Sequence, residues 1–234
     1  MDQLEQITQM IALSMGLAWA SGINLYATLL MLGVLSNTGN IVLPPGLDVV
    51  GDPMVLMAAG LMYCVEFFAD KVPGVDTGWD TLHTFIRIPA GAALAAGAVG
   101  EIGLPVELAA AIVGGSLATA THAAKAGSRV LINTSPEPFS NWTASVAEDV
   151  MVVGGIWAAL YNPWLFIAGL IVFVLLLVWL LPRIWRGVKG VFRFLARLFG
   201  GGADEMAPMH SSLDSGSGSS PNSGRALPGE RPRH

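Results

Sequence analysis

The sequence predicts an all-α, polytopic membrane helix bundle of about six spans, and three observations carry that prediction. Of the 234 residues, 53% are hydrophobic and only 12% charged, against roughly 25% charged in soluble domains. The mean hydropathy of +0.59 confirms that too few charges are present to cover a water-facing surface. Apolar runs recur between Met10 and Leu181, each near the ~20 residues that cross a bilayer core as a helix. The net charge of -5, from 12 basic and 17 acidic residues, leaves no soluble basic face, so nucleic acid is excluded as a partner. The single cysteine, Cys64, excludes an intrachain disulfide and a thiolate metal cluster.

The first run, Met10 to Leu35, carries no charge and is interrupted only by Ser21-Gly22-Ile23-Asn24. It is too long for a cleaved signal peptide and lacks the basic flank of one. The next runs are Met54 to Val72, Trp79 to Val99, Pro105 to Ile132, Trp142 to Tyr161 and Trp164 to Leu181. Pro44-Pro45-Gly46, Pro73-Gly74, Pro105, Pro136-Glu137-Pro138 and Asn162-Pro163 punctuate them, residues that fix or free the backbone φ angle. Residues 1–182 thus form the transmembrane bundle. Residues 183–199 follow as a basic amphipathic helix, with Arg183, Arg186, Lys189, Arg193 and Arg197 three or four apart and apolar residues between them. Such a helix lies in the membrane interface on anionic lipid, or else merely anchors the last span by its positive charge. Residues 200–234 are rich in Gly, Ser and Pro and predict a disordered cytoplasmic tail.

Lys and Arg accumulate on the cytoplasmic side of short loops. With six spans, the segments around Asn37 to Pro53, Glu101 to Glu107 and Asn162 contain none, and every basic residue sorts to the other side. Both termini are therefore expected in the cytoplasm. A displacement of 63 positions aligns Pro73 with Pro136 and Trp79 with Trp142, which predicts two parallel helical hairpins, spans two and three against spans four and five.

Charges inside membrane helices usually face a protein interior or a watery cavity, so they mark the candidate ligand-binding residues. Glu66 and Asp70 share one face of the second span, and Asp80, His83 and Arg87 share one face of the third. His122, Lys125 and Arg129 repeat that spacing on the fourth, and Glu148 and Asp149 sit inside the fifth. The signs predict pairing within hairpins, Glu66 or Asp70 with Arg87, and Lys125 or Arg129 with Glu148 or Asp149. Such pairs serve as glue between helices or line a polar cleft open to the cytoplasm. In the cleft, spare cations with Ser128, Asn133, Thr134, Ser135, Ser140, Asn141 and Thr143 would hold an anionic group.

Ser21-Gly22-Ile23-Asn24 reads as a close-packing point or as an unwound point like those of discontinuous transporter helices. The Ala- and Gly-rich runs Ala90 to Gly100 and Ala109 to Ala118 favour tight helix packing and a homo-oligomer. No phosphate loop, nucleophile elbow or His-Glu-x-x-His helix occurs. No catalytic residue and no cofactor is expected. The crowding of Asp70, Asp76, Asp80 and His83 leaves one enzymatic option, Mg²⁺ beside a phosphorylated lipid; the alternative is a solvated acidic loop.

The segments Glu66-Phe-Phe-Ala-Asp-Lys-Val-Pro-Gly-Val-Asp-Thr-Gly-Trp-Asp80 and Lys125-Ala-Gly-Ser-Arg-Val-Leu-Ile-Asn-Thr-Ser-Pro-Glu-Pro-Phe-Ser-Asn-Trp142 resemble a family of bacterial integral membrane proteins that carry a domain of unknown function. The resemblance covers roughly Gly16 to Gly155 and excludes the last span, the basic helix and the tail. It implies a multi-pass protein of the bacterial inner membrane and supplies no residue roles. Three classes of function follow in order of preference. They are a transporter or permeation pathway for a small anionic solute or lipid headgroup, a non-catalytic membrane scaffold, and a lipid-modifying enzyme.

Overall fold

The computed structural model describes residues 3–134 and 138–200, with side chains for all of these except 138 and 197–200. Ser135, the Pro136-Glu137 turn signal, the side chain of Arg197 and the tail beyond Gly200 lie outside the described residues. The chain divides into two compact units, Met1–Leu195 and Ala196–His234. Of the second, only the helical stretch 196–200 is described.

Six long helices follow in order, α1 (Gln3–Asn37), α2 (Pro53–Ala69), α3 (Val75–Gly97), α4 (Leu104–Ile132), α5 (Pro138–Tyr161) and α6 (Pro163–Gly200). Short 3-10 segments occupy Pro45–Gly51 and Gly100–Ile102, and no strand occurs among the described residues. Four of the helices, α1, α4, α5 and α6, are long and apolar enough to cross a membrane, and Pro45–Gly51 with α2, bent by 65°, makes a fifth candidate. The protein is an all-α, multi-pass membrane bundle. Although α3 is not among those candidates, its Asp76, Asp80, His83 and Arg87 are all buried, while Leu82, Phe85 and Ile86 point outward. Its charges face protein, and its outer face is apolar.

The helix starts follow from local chemistry. Asp52 caps α2 by accepting the Met54 N–H at 2.7 Å, and Pro53 takes the first helical position, where a missing N–H costs nothing. Gly74 precedes α3 at a φ of 86°, a region that favours glycine.

Helix α1 is the centre of the bundle, packing on α2, α3, α4 and α5. Its 35 residues would reach about 52 Å if straight, well beyond the ~30 Å of a bilayer core. It is not straight. Asn24 leaves the helical region (φ −144°, ψ 99°) and divides α1 into two arms. The same residue caps the second arm, its side-chain oxygen accepting the Ala27 N–H at 3.0 Å.

The first arm runs antiparallel to α3. Ser14 donates to the Ala95 carbonyl at 2.8 Å, and Ser21 packs on Gly91. The second arm turns back and runs parallel to α3. Tyr26 meets His83, but Gly33 lies against Val50 and Leu56, and Asn37 donates to the Gly51 carbonyl at 2.8 Å. The segment Pro45–Gly51 packs in turn on Gly97 at the end of α3. The start of α1 also lies at that end, where Glu5 and Thr8 share a surface recess with Tyr161, Asn162 and Trp164 of the α5–α6 turn. Both ends of α1 therefore open on one face of the bundle, and its break reaches inward. The expected first span, Met10 to Leu35, lies within α1, which is long and apolar enough to cross a membrane but is divided at Asn24. Gln3 lies at the face of the α3–α4 and α5–α6 turns, whereas the basic turns of α6 lie beside Gly127 and Leu131, near the end of α4.

Two further expectations change. The tightest helix pair is α3 with α4, which joins the two predicted hairpins instead of lying within either. The basic segment from Arg183 is not a separate element, because α6 continues helically through Pro182. Ile184 and Val188 are buried, with Ile184 against Gly127 of α4, while Arg183, Arg186, Lys189 and Arg193 remain exposed. The apolar stripe of this segment serves helix packing at these positions.

Candidate functional site

At the depth of the α1 break, charged side chains from four helices converge. Glu66 and Asp70 come from the last turns of α2, Asp80 and Arg87 from α3, Lys125 and Arg129 from α4, and Glu148 from α5. All seven are buried. Helical spacing explains the convergence, since residues three, four and seven apart project from one face.

Arg87 is the first hub. Its Nη2 donates to Glu66 Oε1 at 2.5 Å and its Nη1 to Asp80 Oδ1 at 2.9 Å. Nη1 also donates to His122 Nδ1 at 3.3 Å, and His122 Nε2 meets the Thr84 hydroxyl at 2.8 Å. Because Thr84 gives its own proton to the Asp80 carbonyl, its oxygen accepts from His122, which is thereby a neutral imidazole protonated on Nε2. His83 is held similarly, between the Trp79 carbonyl at 2.9 Å and the Tyr26 hydroxyl at 3.0 Å.

Lys125 is the second hub. Its ammonium lies 3.1 Å from the Ile23 carbonyl, which the break in α1 leaves free of a helical partner, and 3.1 Å from Asp70. Glu66 and Glu148 are each 3.3 Å away and Asp80 is 3.7 Å away. Arg129 is the third, donating from Nη2 to Glu148 at 2.8 Å and from Nη1 to the carbonyls of Asp70 and Asn141, both at 3.1 Å.

Beside this network, Asp149 of α5 accepts from the Asn24 amide at 2.9 Å and from the Tyr63 hydroxyl at 3.0 Å. On the other side, Asn133 donates to both oxygens of Asp76, at 2.8 and 3.0 Å, and accepts from Asn141 at 2.8 Å. That chain ties the start of α3 to the end of α4 and to α5.

The structure thus gathers Glu66, Asp70, Asp80, Arg87, His122, Lys125, Arg129, Glu148 and Asp149 around one point, with His83 and Asn133 at its edges. Ser135 lies outside the described residues. The expected Arg87–Glu66 and Arg129–Glu148 pairs form, and Lys125 adds pairs across the hairpins that the sign pattern did not specify. The expectation of spare cations for an anionic group is corrected, because each of the three cations meets at least two carboxylates within 4 Å. The hydroxyls of Ser128, Thr134 and Thr143 bond carbonyls of their own helices and do not line a site. The Mg²⁺ option also fades, since no group of three or more His, Cys, Asp or Glu among the described residues is placed to hold a metal ion. Asn24, Tyr63, Thr84 and Asn141 are the participants that charge patterning did not select. Asn24 had a visible signal, as a polar residue in an otherwise apolar run, and Asn141 had one as a polar residue expected around an anionic group.

A family model described as a domain of unknown function, DUF4126, matches residues 11–183. The chain belongs to this family. The DUF4126 match takes in the whole charged cluster, both arms of α1 and α6 up to Arg183, so it extends beyond the stretch whose motifs carry the resemblance. No curated protein and no solved structure matches the chain. What the DUF4126 domain does in this chain therefore rests on the geometry of its buried charges.

Proposed function

We propose that this protein is a transporter of the bacterial cytoplasmic membrane, moving a small cation, or a solute together with a proton, past the break in α1. The observation that carries this reading is the meeting of a helix broken at Asn24 with a buried, charged cluster supplied by the helices packed around that break. Backbone at such a break is tolerated in a membrane only where protein or a watery cavity satisfies it, and Lys125 on the Ile23 carbonyl is one such partner. Ion sites at discontinuous helices use freed carbonyls and helix ends in this way. The four carboxylates of the cluster outnumber its three cations, so the site favours a positive species over the anion expected from sequence.

By the positive-inside rule, the turn carrying Lys71 and the basic turns of α6 are cytoplasmic. The start of α1 then faces the opposite side. The exposed Arg183, Arg186, Lys189 and Arg193 rest against anionic lipid headgroups. A scaffold is the second reading, favoured by the pairing of each of Arg87, Lys125 and Arg129 with at least two carboxylates, which glue between helices would also produce.

Flux measurements separate the two. Purified protein in vesicles of phosphatidylethanolamine and phosphatidylglycerol, loaded with a pH- or sodium-reporting dye, should pass H⁺ or Na⁺ under an imposed potential faster than protein-free vesicles. Glu148→Gln should fold and lose that flux. A folded wild type that passes neither ion, nor any of a panel of organic cations, would give the scaffold reading precedence.

A further inference from the structure

We infer that Asp149 is the proton-binding carboxyl of the bundle, and that its proton controls the hold of α5 on the break in α1. Its role in coupling rests on the transport reading above; its proton does not. The core already sets four carboxylates against three cations. Glu66 Oε2, Asp70 Oδ1 and Asp80 Oδ2, on residues at most 3% exposed, have no hydrogen-bond partner at all. The cluster is short of positive charge before Asp149 is counted.

Asp149 would be the fifth anion. Glu66, Asp70, Asp80 and Glu148 each have a Lys or Arg nitrogen within 4 Å, and among the described residues Asp149 has none. Its partners are two neutral donors, the Asn24 amide and the Tyr63 hydroxyl. A carboxylate held only by neutral donors beside an excess of negative charge gains most from taking up a proton. It is half-buried, whereas Glu66, Asp70, Asp80 and Glu148 are buried.

The proton has a place to go. When it binds Oδ2, that oxygen becomes the donor and Tyr63 Oη the acceptor, a reversal that a hydroxyl permits. The Asn24 amide then faces a neutral acid instead of an anion, and charge-assisted hydrogen bonds are about twice as strong as neutral ones. Asn24 is also the cap of the second arm of α1. Protonation therefore loosens the contact that fixes the break, while the Lys125 contact to Ile23 remains. The charged and titratable groups of the elements packed around Asp149 are Tyr26 on α1, Glu66 and Tyr63 on α2, and Asp70 and Lys71 on the turn that follows. Asp80, His83 and Arg87 stand on α3, His122, Lys125 and Arg129 on α4, and Glu148 beside it on α5.

Infrared titration of the full chain in lipid nanodiscs tests the inference without any substrate. Both proteins should share the carboxylic-acid C=O bands of the exposed carboxyls as pH falls, and the difference between wild type and Asp149→Asn, which keeps the shape and both partners, should show one further band present only in wild type. Tyr63→Phe removes a donor that favours the ionised form, so its band should appear at higher pH. A difference with no such band, wild type and Asp149→Asn titrating alike, would place the proton on another carboxyl and overturn the inference. In vesicles, proton flux should fall to the protein-free rate in Asp149→Asn. The band without any flux would overturn the transport reading and the coupling with it; flux without the band would overturn the proton site alone.

Discussion

The two halves of this bundle are held together by opposite means, and both means act on the same helix. In the half nearer the α3–α4 turn, the first arm of α1 lies against backbone. A side chain at Gly91 would strike Ala118 and Ser21, and one at Gly114 would strike Ala95 and Ala18. Small residues let helices approach until dispersion contacts are dense, which in lipid replaces the hydrophobic effect as the source of association. In the other half, the contacts around Asn24 are ionic, buried, and incompletely satisfied. Desolvating such groups is expensive enough that an apolar packing of the same volume is often as stable or more so. A bundle that needed only cohesion could have extended its Gly and Ala contacts through both halves. The asymmetry therefore points to a task for the charged half, and the dry half becomes the rigid floor against which α1 bends.

The largest effect should come from the charged half. Arg129→Met leaves Glu148 without its closest cation and the carbonyls of Asp70 and Asn141 without a donor. A buried pair broken on one side costs about 3–5 kcal/mol, so this variant should unfold at markedly lower temperature in detergent, or fail to accumulate in membranes. An Arg129→Met protein as stable as wild type would remove the contrast between the halves. The dry half should respond next. Gly114→Leu forces bulk between α4, α3 and the first arm of α1, and overpacking costs about 1–3 kcal/mol. Gly154→Ala, where added bulk meets open space and alanine favours the helix over glycine, should not lower the unfolding temperature and serves as the control.

These halves were unequally legible in the sequence. The runs Ala90 to Gly100 and Ala109 to Ala118 announce close packing, and the structure puts Gly91, Ala95, Gly114 and Ala118 at the α1–α3–α4 contact. Charge spacing put Glu66, Arg87, Arg129 and Glu148 on inward faces, because a lipid-facing charge is too costly to keep. Hydropathy has no sign for direction, however. Met10 to Leu35 read as one crossing segment, since an arm that goes in and an arm that comes back are equally apolar, and only the φ and ψ of Asn24 distinguish them. Lys and Arg counting could not detect this either, because the segment it would have flagged carries no basic residue. The reach of Lys125 across both hairpins escaped for a related reason. Sign patterns propose pairs along adjacent helices, and Lys125 of α4 meets groups from α1, α2, α3 and α5 at once.

A smaller change tests whether the break belongs to the charged half. Asn24→Ala removes the cap on Ala27 and the amide to Asp149, and a lost cap alone costs about 1 kcal/mol. The unfolding temperature should fall less than in Arg129→Met, while cysteines placed on the second arm should react faster with a water-soluble reagent. Equal reactivity in wild type and variant would mean that the tight contacts of the dry half, not Asn24, fix the bend.

The smallest effect on stability should come from the outer turns of α6, which belong to neither half. Arg186 and Lys189 are exposed, and the guanidinium of Arg186 bonds only the Pro182 carbonyl of its own helix among the contacts described. Arg186→Gln with Lys189→Gln removes two charges without opening a cavity or stranding a buried partner, so unfolding should shift by no more than ~0.5 kcal/mol. The effect should emerge at the membrane instead. Each basic residue near an anionic surface contributes about 1 kcal/mol, and charges next to a span help decide its direction. Protein in nanodiscs containing phosphatidylglycerol should lose its preference for that lipid over phosphatidylcholine when both are replaced. An unchanged lipid preference, with Ile184 and Val188 still packed on α4, would make this stretch of α6 purely an extension of the bundle.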